Sequence, residues 1–181
     1  MARSTVVISA LLAAQAALPG AGAHARELPL TAAAPAAAPL PPKGIYLLGN
    51  YNSGLCLSVP DRLAEGAKTA QTPCSAPAPD PRWTLTPVAP AGNYTITNVV
   101  SKKCLAVPAP PAGAPAIQQT CGNYASQVWT LLPEGPGGRL RNLASKLNLS
   151  VAGASRAPGA PVIQTPPSSD PSQVWTFRPA A

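Results

Sequence analysis

The sequence predicts an all-β domain built from three repeats of 46 residues, and two observations carry this prediction. The first is a fixed period. The pentapeptide SQVWT occurs at residues 126–130 and again at 172–176, and a partial copy, PRWT, covers 81–84. The chain's three tryptophans, Trp83, Trp129 and Trp175, therefore recur every 46 residues. Such self-similarity is typical of repeat architectures. The second observation is a strand-like pattern between the repeated blocks.

Many other positions agree when the three repeats are aligned. The aligned columns include Asn50, Asn98 and Asn142; Ser53, Ser101 and Ser145; Leu57, Leu105 and Leu149; and Val59, Val107 and Val151. A second block reads GAKTAQ at 66–71, GAPAIQ at 113–118 and GAPVIQ at 159–164. Agreement across so many columns identifies the chain as a threefold repeat.

Strand signals fill each repeat. Segments such as NYTITNV and CLSVP alternate with period two, and turns rich in Gly, Pro, Asn and Ser separate them. With 25 prolines, no stretch after residue 25 carries an uninterrupted helical pattern. The pattern indicates about four short strands per repeat. A propeller typically needs at least about four blades, whereas three repeats close a β-trefoil with pseudo-threefold symmetry.

The N-terminal region precedes the repeats and has a different composition. Residues 1–25 are expected to form a signal peptide, because Arg3 precedes a short apolar run and Ala23-His24-Ala25 fits a cleavage site. Residues 26–42 are mostly alanine and proline, which predicts an extended linker. The folded domain is expected at 43–179, with repeats at about 43–88, 89–134 and 135–179. The protein is therefore predicted to be secreted and extracellular.

Four cysteines in an exported chain are expected to form disulfides. They can pair in three ways. Their positions favour the pairs Cys56 with Cys74 and Cys104 with Cys121, since each pair then occupies the same place within its repeat.

The repeated motifs resemble those of the ricin B-type lectin family. Its mark is a Gln-x-Trp near the end of each subdomain, present here as Gln127-Val128-Trp129 and Gln173-Val174-Trp175, while the first repeat has Pro81-Arg82-Trp83. A Cys-Leu-x-Val strand, bridged to a later cysteine, is the second mark, and CLSV and CLAV match it. The third repeat has NLSV, and Pro167 stands in the second cysteine column.

This resemblance implies a non-catalytic carbohydrate-binding protein whose partners are glycans or glycoproteins. It also implies that Trp83, Trp129 and Trp175 form the structural core around the pseudo-threefold axis. Each fully buried large apolar side chain contributes about 1.5–3 kcal/mol.

The family's usual sugar-site residues are largely replaced in this chain. Where the family has Asp, this chain has Ser58, Ala106 and Ser150. Where the family has a stacking ring, it has Thr72, Gln119 and Thr165, and where the family has Asn, it has Asp80, Ser126 and Ser172. Recognition of galactose in the family's usual manner is therefore not expected. Each unmade hydrogen bond costs such a site about 1–3 kcal/mol.

Other polar residues near these columns are the candidates for a rebuilt carbohydrate site. Ser58 and Ser150 retain hydroxyls, and Tyr124 with its neighbour Asn123 offers a ring and an amide. Asp170 precedes the third Gln-x-Trp. Two alternatives are open: Tyr124 covers its own loop, and Asp170 accepts a turn hydrogen bond.

The composition argues against other classes of function. The only histidine, His24, lies at the predicted cleavage site, so neither a catalytic triad nor a metal or cofactor site is expected. The net charge is +7, but the cations are scattered and the aromatics few, which disfavours nucleic-acid binding. No segment after residue 25 is apolar enough to span a membrane.

A second function from another class is a secreted β-trefoil protease inhibitor or protein-interaction module. The loops 60–68, which begins with Pro60, and 108–115, which is rich in proline, would be the segments presented to the protease, since rigid loops lose less entropy on binding. Two N-glycosylation acceptor motifs begin at Asn93 and Asn148.

Overall fold

The structure is a computed structural model that describes residues 39–76 and 80–180. The predicted signal peptide and linker residues 26–38 lie outside the described residues. In the described part of the chain, no helix is long and apolar enough to cross a membrane.

Twelve β-strands make up the described fold, four in each repeat. The first repeat contains β1 (Gly44–Asn50), β2 (Cys56–Ser58), β3 (Ala70–Thr72) and β4 (Arg82–Val88). The second contains β5 (Asn93–Asn98), β6 (Cys104–Ala106), β7 (Ile117–Gln119) and β8 (Val128–Glu134). The third contains β9 (Gly137–Asn142), β10 (Asn148–Val151), β11 (Val162–Thr165) and β12 (Val174–Pro179). Short 3₁₀ turns cover Ala125–Gln127, Ala152–Ala154 and Pro171–Gln173.

Six of these strands close a barrel. The antiparallel pairs run β1–β4, β4–β5, β5–β8, β8–β9, β9–β12 and β12–β1, which completes the ring. The remaining strands form three hairpins, β2–β3, β6–β7 and β10–β11. Single bridges join the hairpins pairwise, at Lys68–Ile117, Ala70–Pro161 and Pro115–Ile163. A six-stranded barrel with three linked hairpins is a β-trefoil, so the predicted fold class is confirmed.

The three tryptophans lie in the core with no exposed surface. Each indole Nε1 donates a hydrogen bond to a leucine carbonyl in its own repeat. The pairs are Trp83 to Leu57 (2.9 Å), Trp129 to Leu105 (2.9 Å) and Trp175 to Leu149 (3.0 Å). A buried indole needs such a partner for its N–H. The recurring tryptophan therefore both fills the core and joins the barrel to the Cys-Leu strand or its third-repeat counterpart.

The recurring glutamine that ends each Gly-Ala block ties one repeat to the loop of another. Gln71 Nε2 donates to Ser155 O and Ala157 O, at 3.0 and 2.8 Å. Gln118 Nε2 donates to carbonyls of Asp61, Arg62 and Ala64, and Gln164 Nε2 to those of Ala109 and Pro111. All three glutamines are buried. Their side chains thus hold the long loops in place across the repeat boundaries.

Both favoured disulfides are present, Cys56–Cys74 and Cys104–Cys121, with Cα–Cα distances of 4.9 and 5.0 Å. Each joins the strand after the first turn of its repeat to the loop before the tryptophan strand. The third repeat has no cysteines, and a different arrangement holds the same loop there.

The last residues of the predicted linker pack onto the barrel. Tyr46 Oη donates to Pro42 O at 3.0 Å, and Tyr94 Oη donates to Pro41 O at 2.9 Å. Burial raises the pKa of Tyr94. The segment 39–42 is therefore part of the folded domain, because two buried hydroxyls require acceptors.

Candidate functional site

A hydrogen-bond network replaces the disulfide in the third repeat, and Gln173 is its centre. Asn148 occupies the first cysteine column, and its Nδ2 donates to Gln173 Oε1 at 2.8 Å. Gln173 Nε2 donates to Thr165 Oγ1 and Pro166 O, both at 2.8 Å, and to Ser168 Oγ at 3.0 Å. These bonds hold the loop before β12 without a covalent bridge.

Arg139 supports the same network from β9. Its side chain is buried, with NH1 donating to Gln173 Oε1 at 3.1 Å and to Asp170 O at 3.3 Å. Its NH2 donates to Glu134 Oε1 at 2.7 Å, and this guanidinium lowers the pKa of Glu134. The buried cation is therefore paired, as a buried charge must be.

A cavity of about 480 Å³ opens beside this network, between the β10–β11 hairpin and the loop before β12. Ligand-binding cavities commonly have about 300–1,000 Å³. The polar groups that line it come from Ser150, Thr165, Ser168, Asp170, Ser172 and Gln173. The apolar part comes from Val151, Ala154, Pro166 and Pro167. The combination of an apolar wall with a few polar groups is what a small polar ligand requires.

Asp170 offers the cavity an acceptor. Its Oδ1 accepts a hydrogen bond from Ser172 N at 2.8 Å and so caps the 3₁₀ turn Pro171–Gln173. Within the described ranges no donor bonds to its other oxygen, Oδ2, and the residue is only half-buried. One carboxylate oxygen therefore serves the fold, while the other is available to a ligand.

Ser150 is less accessible. It has 3% of its surface exposed, and its Oγ lies 3.1 Å from Ser172 Oγ. One hydroxyl of this pair donates to the other, and Ser150 Oγ also lies 3.4 Å from the acceptor Val151 O.

The opposite wall of the cavity, at Gly153 and Ala154, is held from the first repeat. Asn52 Nδ2 donates to Ala154 O at 2.8 Å, and Arg156 NH2 donates to Asn52 Oδ1 at 3.1 Å. Sequence reasoning missed Asn52. The alignment of the repeats shows only that its column varies, with Val100 and Ala144 in the other two repeats, and does not indicate its partner.

Ser58 must be removed from the predicted carbohydrate site. It has no exposed surface, and its Oγ donates to Ala70 O at 3.3 Å. All three residues of β2 are buried, so the hydroxyl lies inside the fold, out of reach of a ligand.

The predicted residues Asn123 and Tyr124 belong to the second repeat and do not line the cavity. Tyr124 is 60% exposed, and its ring packs directly against Gly122 of the same loop. This is the arrangement expected of a tyrosine that covers its own loop. The structure thus brings together only Ser150 and Asp170 of the five predicted carbohydrate-binding residues.

Both N-glycosylation acceptors are buried. Asn93 Oδ1 accepts from Thr130 Oγ1 at 2.7 Å, and Asn148 is part of the Gln173 network. The folded domain has no room for a glycan on either side chain.

Comparison with known families agrees with this architecture. The family described as "Ricin-type beta-trefoil lectin domain-like" matches residues 40–119, 80–165 and 125–181, three overlapping ranges that cover all three repeats. The chain belongs to this ricin-type β-trefoil lectin family. No curated protein matches it.

Several solved structures are similar to this chain in fold. A designed 3-fold symmetric protein, ThreeFoil, is 30% identical with a TM-score of 0.71, over 76% of this chain and 99% of its own. An exo-beta-1,3-galactanase from Clostridium thermocellum is 25% identical with a TM-score of 0.71, over 78% of this chain but only 31% of the galactanase. The Rhizoctonia solani agglutinin is 20% identical with a TM-score of 0.70, over 79% of this chain and all of its own, a likeness of fold alone.

Proposed function

We propose that this ricin-type chain is a secreted, non-catalytic carbohydrate-binding protein whose sugar site is the third-repeat cavity. One observation carries the proposal. The cavity is bounded by Ser150, Thr165 and Ser172, which stand in the three columns where the family resemblance places sugar-site residues. The site has been rebuilt with different side chains at the same place.

The chemistry of the lining residues supports a neutral sugar. Asp170 Oδ2 would accept hydrogen bonds from sugar hydroxyls. Ser168 Oγ already accepts from Gln173 Nε2 and Asp170 N, so it would donate one. Pro166 and Pro167 would cover the apolar C–H face in place of the missing aromatic ring. With so few polar contacts and no stacking ring, the affinity for a single sugar should be weak, with a Kd of about 1 mM.

The surroundings of Glu65 and Glu134 support the view that neither carboxyl serves as a general acid. A general acid needs a raised pKa. Glu65 instead bonds to Lys103 Nζ at 2.6 Å and Thr120 N at 2.7 Å, and these contacts lower its pKa. Glu134 is held in the same way by Arg139, which lowers its pKa too.

Secretion is part of the proposal. It rests on the predicted signal peptide, and the two disulfides support it, since such bonds persist in oxidising compartments.

A glycan array with the chain from residue 26 to 181, carrying both disulfides, would test the proposal. We expect binding to neutral glycans that the free monosaccharide competes away. A blank array from protein with a cooperative unfolding transition would overturn it. Binding that a large excess of free sugar does not reduce would also contradict it, because the contact would then not be a sugar site.

A specific observation also favours the second function, protease inhibition by a loop. Gln118 holds the loop 60–68 through three carbonyls, and Leu63 projects from that loop with 69% of its surface exposed. If the loop is presented to a protease, a panel of secreted proteases should show inhibition that Leu63→Ala reduces at least tenfold. Inhibition unaffected by Leu63→Ala would exclude this loop.

A further inference from the structure

A second cleft lies on the outer face of the barrel, where the first and third repeats meet. It has a volume of about 250 Å³ and is lined by Gly49, Asn50, Tyr51, Gly54, Thr176 and Arg178. None of these residues lines the third-repeat cavity. The cleft is therefore a separate site with its own chemistry.

The cleft is open because β1 has a glycine where the other repeats have side chains. Gly49 pairs with Thr176 across β1 and β12. At the two equivalent positions, Thr97 pairs with Thr84, and Arg141 pairs with Thr130. A Cβ added to Gly49 would lie 2.8 Å from Thr176 Oγ1, so any side chain there would enter the cleft.

Arg178 brings an unneutralised positive charge to the cleft. Its side chain is exposed, and its bond in the structure is a contact of 3.6 Å from NH2 to Cys56 Sγ. Among the described residues no carboxylate forms an ion pair with it. Arg82 and Arg178 both pair with Leu47 of β1, from the strands on its two sides. Unlike Arg178, Arg82 forms an ion pair, with Asp80 at 2.8 Å.

Tyr51 brings an aromatic ring to the same cleft. It is 56% exposed, although an aromatic side chain gains free energy when it is covered. The equivalent residues in the other repeats are Val99 and Leu143, and those of Arg178 are Thr86 and Leu132. The glycine, the aromatic ring and the cation (Gly49, Tyr51 and Arg178) therefore occur together at only one of the three repeat junctions.

We propose that this cleft binds a sugar that bears a carboxylate, such as a uronic acid. The planar guanidinium of Arg178 matches a carboxylate with two parallel hydrogen bonds. The ring of Tyr51 covers the apolar face of the sugar. Thr176 Oγ1 donates to Gly49 O at 3.1 Å and so retains lone pairs for a sugar hydroxyl. This inference does not depend on the third-repeat cavity, which has no cation among its lining residues.

A titration followed by amide NMR tests the inference with the full mature chain. Glucuronate should shift the amide signals of Tyr51, Gly54 and Thr176 in a saturable manner, whereas glucose, its neutral counterpart, should leave them unchanged. Arg178→Gln should weaken glucuronate binding about tenfold or more, the effect of losing one charge-assisted hydrogen-bonded pair. Gly49→Thr should weaken glucuronate binding as strongly, because the new side chain would fill the cleft beside Thr176. The resulting pair of threonines would match the pair Thr97 and Thr84 at the equivalent position.

Arg62→Gln is the matched control, because it removes one exposed positive charge from the loop 60–68 and should leave the affinity unchanged. If Arg62→Gln and Arg178→Gln lose equal affinity for glucuronate, the anion is attracted only by the net charge of the protein, and the proposed site is wrong. Inorganic sulfate that binds as tightly as glucuronate, at the same amides, would reduce the cleft to a simple anion site and overturn the role of the ring. If Gly49→Thr fails to fold, Tyr51→Ala takes its place: an unchanged affinity in that variant would refute the inference.

Discussion

Asn148 Nδ2 donates a 2.8 Å hydrogen bond to Gln173 Oε1 at the position where the first two repeats begin a disulfide. One amide pair, extended by Arg139, thus holds a loop that the other repeats hold covalently. The loop held in this way forms one side of the third-repeat cavity. The same residues, Asn148, Gln173 and Arg139, therefore take the place of the disulfide and shape the candidate site.

Gln173→Ala should destabilise the domain more than Gln127→Ala. Removal of Gln173 takes away the acceptor of the buried Asn148 Nδ2 and leaves Arg139 NH1 with Asp170 O, at 3.3 Å, as its remaining acceptor. This should lower the free energy of unfolding by about 2–4 kcal/mol. Gln127 bonds to Thr120 O and Gly122 N in a loop that the Cys104–Cys121 disulfide also holds. Urea denaturation of the oxidised proteins measures both values. Equal losses would contradict the role assigned to the network.

The two buried glutamines Gln118 and Gln164, which hold loops of other repeats, should contribute differently to the free energy of unfolding. Gln118 Oε1 accepts from Ser101 Oγ at 2.7 Å, whereas Gln164 Oε1 is buried and has no hydrogen-bond partner among the residues that the structure describes. We expect Gln118→Ala to lower the free energy of unfolding by about 1 kcal/mol more than Gln164→Ala, the net value of one hydrogen bond. Paired denaturation curves provide the test. A larger loss in Gln164→Ala would mean that its loop contacts matter more than the missing bond.

Acid should destabilise the domain through Glu134, which pairs with Arg139 of the third repeat. Arg139 lowers the pKa of this carboxyl in the folded state. The resulting stability is present above the unfolded pKa, about 4.3, and is lost as the pH falls through the lower folded value. Because Glu134 is 47% exposed, the effect should not exceed about 1 kcal/mol. Comparison of unfolding at pH 6 and pH 3 should show a smaller loss in Glu134→Gln than in the unaltered chain. An identical loss would assign the acid sensitivity to Asp80 and Glu65, whose pKa values their own cations also lower.

Asp170→Asn should weaken sugar binding without unfolding the site. The amide retains Oδ1 as the acceptor for Ser172 N, but it replaces the charged Oδ2 with a donor. On a sugar identified by the array, we expect a loss of about tenfold by calorimetry, since a hydrogen bond to a charged group contributes about 1.5–3 kcal/mol. Asp61→Asn, on the loop 60–68, removes the same charge and should have no effect. Matching losses in the two variants would exclude Asp170 from the site.

The threefold fold could be predicted from the sequence because each repeat preserves the residues that the fold needs. Trp83, Trp129 and Trp175 recur because each fills the core and donates to a leucine carbonyl of its own repeat. The positions of the cysteines within the repeats favoured both disulfides for the same reason. Residues that make the same contact within every repeat recur at the same position, and such recurrence is visible in a single sequence.

The site could be predicted only in part. Aligned columns show which positions are equivalent, but not which of them reach the surface. Ser58 and Ser150 share a column, yet Ser58 is sealed inside the fold while Ser150 lines a cavity.

The sequence alone therefore determined the architecture, the disulfide pairs and the replacement of the family's usual sugar ligands. Only the tertiary structure decided where a ligand could bind. Gly49 and Arg178 are 129 residues apart in the chain and share a cleft because β12 closes the barrel against β1. Asn52 supports a cavity wall in another repeat for the same reason. Such sites arise from long-range pairing across repeats, and no local pattern in the chain records which side chains meet there.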